Sequence, residues 1–137
     1  MNMDIDGLRY FAFYGSLRRG MVLHQRFREH LHYRFSARLS GYEMRVHGPY
    51  PTDQYPLPAY PVVAHGHGDI TVEVTEITSA DIAQEIVHLE LRAGYRCEAI
   101  RIDNLEVGIF LFPESPNLPL VPSGDWVQFF GHPKDTR

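Results

Sequence analysis

The apolar positions of this chain switch between two periods, and glycine or proline marks most of the switches. Leu8-Arg9-Tyr10-Phe11-Ala12-Phe13-Tyr14 is a run of β-favouring aromatics closed by Gly15. It predicts a first strand that is central and buried, because so apolar a run would promote aggregation at a sheet edge. Beyond Gly20, Leu23, Phe27 and Leu31 recur every four residues and predict the apolar face of a helix. Residues 33–46 suit a strand with a turn at Gly41. Residues 48–63 hold five of the ten prolines; proline fixes φ and lacks an N–H, so this stretch predicts a stiff surface loop. Ile70, Val72 and Val74 alternate with Thr71, Glu73 and Thr75, the period of a half-buried strand.

Ser79 predicts a helix start, its hydroxyl capping and Asp81 complementing the first turn. Ile82, Ile86 and Leu89 form the inward stripe, and Gly94 closes the helix as a C′ residue. Residues 95–103 and 105–112 read as two strands around a turn at Asp103-Asn104. Residues 113–122 form a second proline-rich loop, and Asp125-Trp126-Val127-Gln128-Phe129-Phe130 reads as a last strand. No internal repeat is present. The predicted fold class is α+β: one domain over residues 1–137, with a small mixed sheet that curls or closes into a barrel and has flanking helices.

Composition narrows the setting. An apolar fraction of 44% with 22% charged residues is that of a globular chain. No apolar run is long enough to span a bilayer. Asp4 and Asp6 near the start argue against a secretory signal, and Cys97 is the only cysteine, so the cytoplasm is the expected location. Net charge is −4, with eight arginines against four acids in residues 1–50. Arg18, Arg19, Arg26 and Arg28 are interspersed with apolar residues, which predicts a solvated helix face rather than a nucleic-acid surface.

Two places could carry chemistry. At Tyr14-Gly15-Ser16-Leu17 a strand runs into a turn, where backbone N–H groups converge and can hold a carboxylate without a charged side chain. A plain tight turn is the competing reading, and the residues do not form a P-loop. The second place is Glu90, after the apolar Leu89 near the helix end. There the dipole and an apolar lining raise a carboxyl pKa, which suits a general acid or base, against the alternative of an exposed helical glutamate. Glu85 is a weaker candidate. His65-Gly66-His67 supplies too few ligands for zinc and predicts loop histidines, and Cys97 predicts an inert thiol. No metal, cofactor, nucleic acid or membrane is called for.

Four segments, in order, resemble the γ-glutamylcyclotransferase-like superfamily, which includes the AIG2-like proteins. Phe11-Ala12-Phe13-Tyr14-Gly15-Ser16-Leu17-Arg18-Arg19-Gly20 is similar to its hydrophobic strand and Tyr-Gly-Ser/Thr-Leu turn. Gly41-Tyr42-Glu43-Met44, with Tyr50-Pro51 or Tyr60-Pro61, resembles its Gly-x-Leu-Tyr…Tyr-Pro stretch. Gly68-Asp69-Ile70-Thr71-Val72-Glu73-Val74 stands where the family has a strand with Gly-Glu, and Ser123-Gly124-Asp125-Trp126 resembles a Ser-Gly-Asp-Trp sequence.

The resemblance implies an enzyme that cyclises a γ-glutamyl amine or amino acid to 5-oxoproline, with a small-molecule γ-glutamyl substrate as partner. It places Tyr14, Gly15, Ser16 and Leu17 in substrate binding and Glu90 in acid–base catalysis. Ile86-Val87-His88-Leu89-Glu90 resembles the family's helix end, although Val87 stands where an acid is usual. A second register puts Ala93 at the catalytic position and implies a non-catalytic γ-glutamyl or carboxylate-binding module on the same fold. Phe110 and Phe112 stand where many members have tyrosine.

Overall fold

The computed structural model describes residues 7–47 and 60–130. Five strands form one sheet: β1 (Tyr10–Phe13), β2 (Leu31–His47), β3 (Tyr60–Ile77), β4 (Arg96–Ile102) and β5 (Leu105–Leu111). Among the described residues three α-helices accompany them: α1 (Val22–Phe27), α2 (Ala80–Arg92) and α3 (Trp126–Phe130), with a 3-10 turn at Arg28–His30 after α1. The strand order is β2-β3-β1-β5-β4, with β1 antiparallel to β3 and parallel to β5. β2 and β4 remain edges, so the sheet is curled and unclosed rather than a barrel.

β1 is short but central, and its residues alternate between two buried layers. Ala12 and Tyr14 join one cluster with Met44, Val72, Ile109 and Trp126. Phe11 and Phe13 join the other, with Phe27, Ile77, Ile86 and Phe110, beneath α1 and α2. Both faces of the strand are covered, which is why its sequence is apolar without interruption. Phe11 stacks on Phe13 and Phe110 with ring centroids 6.0 and 5.8 Å apart. Gly108 lies against this stack, where a Cβ would come within 2.9 Å of the Phe11 ring.

The curl comes from β3. It pairs with β2 along its whole length, but Tyr42 faces both His65 and Gly68, so Gly66 and His67 form a bulge. A bulge bends its strand. The first residues of β3 thereby reach the far end of β5, where the Phe112 N–H donates to the Val63 carbonyl at 2.9 Å. The Tyr95 hydroxyl donates to the Pro61 carbonyl at 2.6 Å. This arrangement corrects three sequence expectations. His65 and His67 are exposed, but they sit in a strand rather than a loop. Residues 60–63 of the proline-rich passage are strand as well, while residues 48–59 lie outside the described residues. Gly41 is not a turn between strands but a kink within β2, at φ +92°.

Other elements follow their local signals. The Ser79 hydroxyl accepts the Ile82 N–H at 3.2 Å and caps α2. Asp103 and Asn104 take φ values of 50° and 70°, the positive pair of a two-residue hairpin turn. α1 ends at Phe27, and Leu31 already belongs to β2; it nonetheless packs in the same cluster as Phe27.

The expected last strand is instead helix α3. Its start explains the difference: the Asp125 carboxylate accepts the Gln128 N–H at 3.2 Å, a capping bond that no strand offers. The preceding Gly124 is at φ +67°, and its carbonyl accepts the Thr71 N–H of β3 at 2.8 Å. A Cβ there would lie 1.9 Å from the Asp69 carbonyl oxygen. Gly124→Ala therefore meets both left-handed strain and a backbone clash, and is expected to lower stability by at least about 2 kcal/mol. A urea midpoint unchanged by this substitution would contradict the corner described.

Candidate functional site

The Tyr14-Gly15-Ser16-Leu17 turn leaves the C-terminal end of β1 and is folded by its own backbone. The Arg18 N–H donates to the Gly15 carbonyl at 2.9 Å, and the Ser16 carbonyl accepts the Leu23 and His24 N–H groups of α1 at 3.0 Å each. Among the described residues, the Ser16 and Leu17 amides donate to no other backbone group. Gly15 is required by crowding: a Cβ would lie 2.8 Å from Pro61 Cγ of β3.

α2 ends beside this turn. The Tyr95 N–H donates to the Glu90 carbonyl at 3.1 Å and the Gly94 N–H to the Leu91 carbonyl at 3.1 Å, with Gly94 at φ +105°. This 6→1 and 5→2 pair is a Schellman cap. It fixes Glu90 in the last turn of α2 and Tyr95 at the entry to β4, both facing the same hollow.

That hollow is a cavity of about 620 Å³. Gly15, Ser16 and Leu17 line one side, Leu89, Glu90 and Ala93 another, and Tyr60, Pro61, Tyr95 and Phe110 close it with apolar surface. The structure thus places Glu90 and the turn in one cavity. Ala93, the alternative in the second register, caps the helix at the same cavity's edge. Glu85 lies elsewhere, exposed and paired with Arg26 at 3.5 Å.

Burial raises the Glu90 pKa to about 7, so its carboxyl exchanges a proton near neutrality. The Tyr14 hydroxyl is buried and donates to the Phe110 carbonyl. Burial first, and the Glu90 charge second, raise its pKa well above that of a free phenol, against a smaller opposing effect of the Val63 backbone. Tyr14 therefore stays neutral, and it lines the cavity. Cys97 is pushed up to about 12 by burial and the charges of Glu98 and Glu90, so its thiol stays protonated and unreactive. His65 lies 3.2 Å from Glu98 on the surface, and among the described residues no group of histidine, cysteine or acidic side chains could hold a metal ion.

The turn is held from behind by an ion cluster that sequence reading missed. Arg18, expected on a solvated helix face, precedes α1 and is only 7% exposed. Its Nε donates to Glu73 Oε2 at 3.3 Å and a terminal nitrogen to Asp125 Oδ1 at 2.8 Å. Glu73 is buried too, and its Oε1 accepts the Arg19 backbone N–H at 2.9 Å and the Arg19 Nε at 3.3 Å. Arg19 lays its guanidinium over the Tyr33 ring, 3.5 Å from the centroid. Arg26 and Arg28 are exposed, as expected of a solvated face.

Burial alone would raise the Asp125 pKa, but its hydrogen bond to Arg18, the Gln128 amide and the Arg18 charge outweigh it and leave the carboxyl below its usual range. Three of the motif segments, Leu17-Arg18-Arg19, Val72-Glu73 and Gly124-Asp125, thus meet at one buried cation. Their occurrence in order along the chain was the available signal; that they converge was not visible in it. Arg18→Met strips Glu73 and Asp125 of this shared cation and is expected to destabilise the fold by about 3–5 kcal/mol, read as a drop in denaturation midpoint. A loss below about 1 kcal/mol, the range of a surface pair, would show that the cluster is not the brace described.

No helix among the described residues is long and apolar enough to cross a membrane. No curated protein matches the chain. Solved structures share its fold. An uncharacterised protein from Pyrococcus horikoshii superposes with a TM-score of 0.70 at 21% identity, over 89% of this chain and 92% of that one. The ytfP protein from Escherichia coli gives a TM-score of 0.64 at 20% identity, over 88% and 97%. An AIG2-like protein from Mus musculus gives 0.58 at 17% identity, over 85% and 88%. The family described as gamma-glutamyl cyclotransferase, AIG2-like, matches residues 11–128, from the first core strand into α3, and the chain belongs to that family.

Proposed function

We propose that the protein is a γ-glutamylcyclotransferase-type enzyme that converts a γ-glutamyl amine or amino acid into 5-oxoproline and the free amine. The observation that carries this reading is a single carboxyl, Glu90, raised by burial to about 7 and sharing a cavity with the Gly15-Ser16 turn.

In the proposed mechanism the Ser16 and Leu17 amides hold the substrate's α-carboxylate, which folds the γ-glutamyl chain back on itself. The α-nitrogen then lies against its own γ-carbonyl, and closing a five-membered ring needs little beyond this positioning. Glu90 removes a proton from the α-ammonium; the nitrogen attacks the γ-carbon, and the new C–N bond forms as the bond to the leaving nitrogen breaks. Of the three protons on the α-ammonium, one stays on the lactam nitrogen. The other two leave with the departing amine, which is an ammonium at neutral pH, and Glu90 relays them. A carboxyl with a pKa near 7 both accepts and returns a proton readily at that pH. The neutral Tyr14 and the apolar walls keep water from the reacting carbonyl.

Glu90→Gln preserves shape and removes the base. 5-Oxoproline release from γ-glutamyl dipeptides is expected to fall by about 100-fold or more while ligand binding persists. Wild-type kcat/KM should rise with pH to a plateau above about 7, the base being active when deprotonated, and this limb should vanish in the variant. Unaltered turnover in Glu90→Gln would refute the assignment, and a wild-type protein that binds but never releases 5-oxoproline would be a binding module.

The same carboxyl marks stability. Its folded pKa lies above the unfolded value of 4.5, so below about pH 4.5 it costs nothing, and between there and 7 wild-type stability falls as pH rises. Glu90→Gln should therefore gain on wild type across that window, by on the order of 3 kcal/mol at most, in denaturation measured from pH 4 to 8. A difference independent of pH would mean that Glu90 titrates as an ordinary surface carboxylate.

A further inference from the structure

The cavity is graded from inside to outside. Tyr14, Leu17, Pro61 and Phe110 at its inner surfaces are buried, whereas Arg26 of α1 and Arg92 of α2, which also line it, are exposed. Among the described lining residues the charged side chains are Glu90, Arg26 and Arg92. At the exposed end the two guanidinium groups face one acid, Glu85, which pairs with Arg26.

Arg26 is tethered to Glu85 at 3.5 Å, an exposed pair that holds its position at small energetic cost to release. Arg92 has no ion-pair partner among the described residues. Its place in the last turn of α2 suits a cation. In the proposed cyclotransferase mechanism the turn holds the α-carboxylate beside the buried Leu17, which directs the leaving amine toward the exposed end of the cavity. The part of the substrate that meets the two guanidinium groups is then the leaving group.

We propose that Arg26 and Arg92 are specificity-determining residues that select γ-glutamyl substrates whose leaving amine bears a carboxylate, over those that release neutral or cationic amines. This rests on the cyclotransferase reading. A planar guanidinium binds a carboxylate through paired hydrogen bonds, and two of them at one mouth disfavour a cationic leaving group by like-charge repulsion. The cavity volume lies within the range that encloses whole small ligands.

γ-Glutamylglycine and γ-glutamylglycinamide differ only in that terminal charge, and they form the test. The wild type should favour the acid through KM, by about 10-fold for a charged hydrogen bond gained at the mouth. Arg26→Gln and Arg92→Gln should each raise KM for γ-glutamylglycine at unchanged kcat and leave both constants for the amide unaltered. The double variant should treat the two substrates alike. Both arginines are exposed, so these variants retain the fold. Equal use of the two substrates by wild type, or equal loss on both in the variants, overturns the proposal and leaves the cyclotransferase reading standing. Should wild type turn over neither, that reading fails, and calorimetric binding of the same two ligands decides. Tighter binding of the acid that depends on both arginines supports the mouth as a carboxylate site, and anything else overturns it.

Discussion

A guanidinium taken out of water is tolerable only where carboxylates meet it with good geometry, and Arg18 is such a case. Placed between Glu73 and Asp125, it joins three stretches of chain that are far apart in sequence: the turn after β1, the middle of β3 and the start of α3. Each partner is in turn fixed by the backbone. Glu73 also accepts the Arg19 amide, and Asp125 caps the helix that carries the fully buried Trp126. The turn that lines the cavity is therefore gripped on its outer side, so the amides on its inner side keep one direction. A backbone turn has no side-chain charge to compensate for poor aim, so the proposed carboxylate-binding role of this one depends on the rigidity behind it.

The opposite wall depends on burial rather than pairing. The Schellman cap at Gly94 stops α2 and turns the chain into β4, which leaves Glu90 over the cavity with Tyr95 beside it. Desolvation then sets the chemistry of the carboxyl, moving it to about 7 without a neighbouring acid. The two walls come together because β3 bends at its bulge. Pro61 is brought against Gly15 on one side and takes the Tyr95 hydroxyl on the other. A straight β3 would leave the cavity open at that end.

Much of the fold was legible because local chemistry and tertiary context agree. The aromatic run of β1, the Ser79 cap, the Gly94 stop and the Asp103-Asn104 hairpin turn all stand where their residues indicate. The reading failed where a residue's meaning depends on a distant partner. Arg18 looks like any surface arginine until Glu73 and Asp125 are placed against it. Residues 125–130 are rich enough in β-favouring aromatic and branched residues to suggest a strand, and the Asp125 cap and the buried Trp126 go with a helix instead. His65-Gly66-His67-Gly68 has the composition of a loop, yet β2 pairs on either side of it and converts it to a bulge.

The sequence by itself determined the β1 and α2 patterns, the two ends of α2 and the Asp103-Asn104 turn, because these are set by interactions within a few residues of each other. It also supplied Glu90 as a candidate and the Tyr14-Gly15-Ser16-Leu17 turn as another, through the order of four short motifs. Only the tertiary structure decided that these two line one cavity, that burial moves the Glu90 carboxyl to about 7, and that Arg26 and Arg92 stand at its mouth. Cavities, desolvation and charge pairing are properties of surfaces brought together from remote parts of the chain, and no local pattern encodes which surfaces will meet.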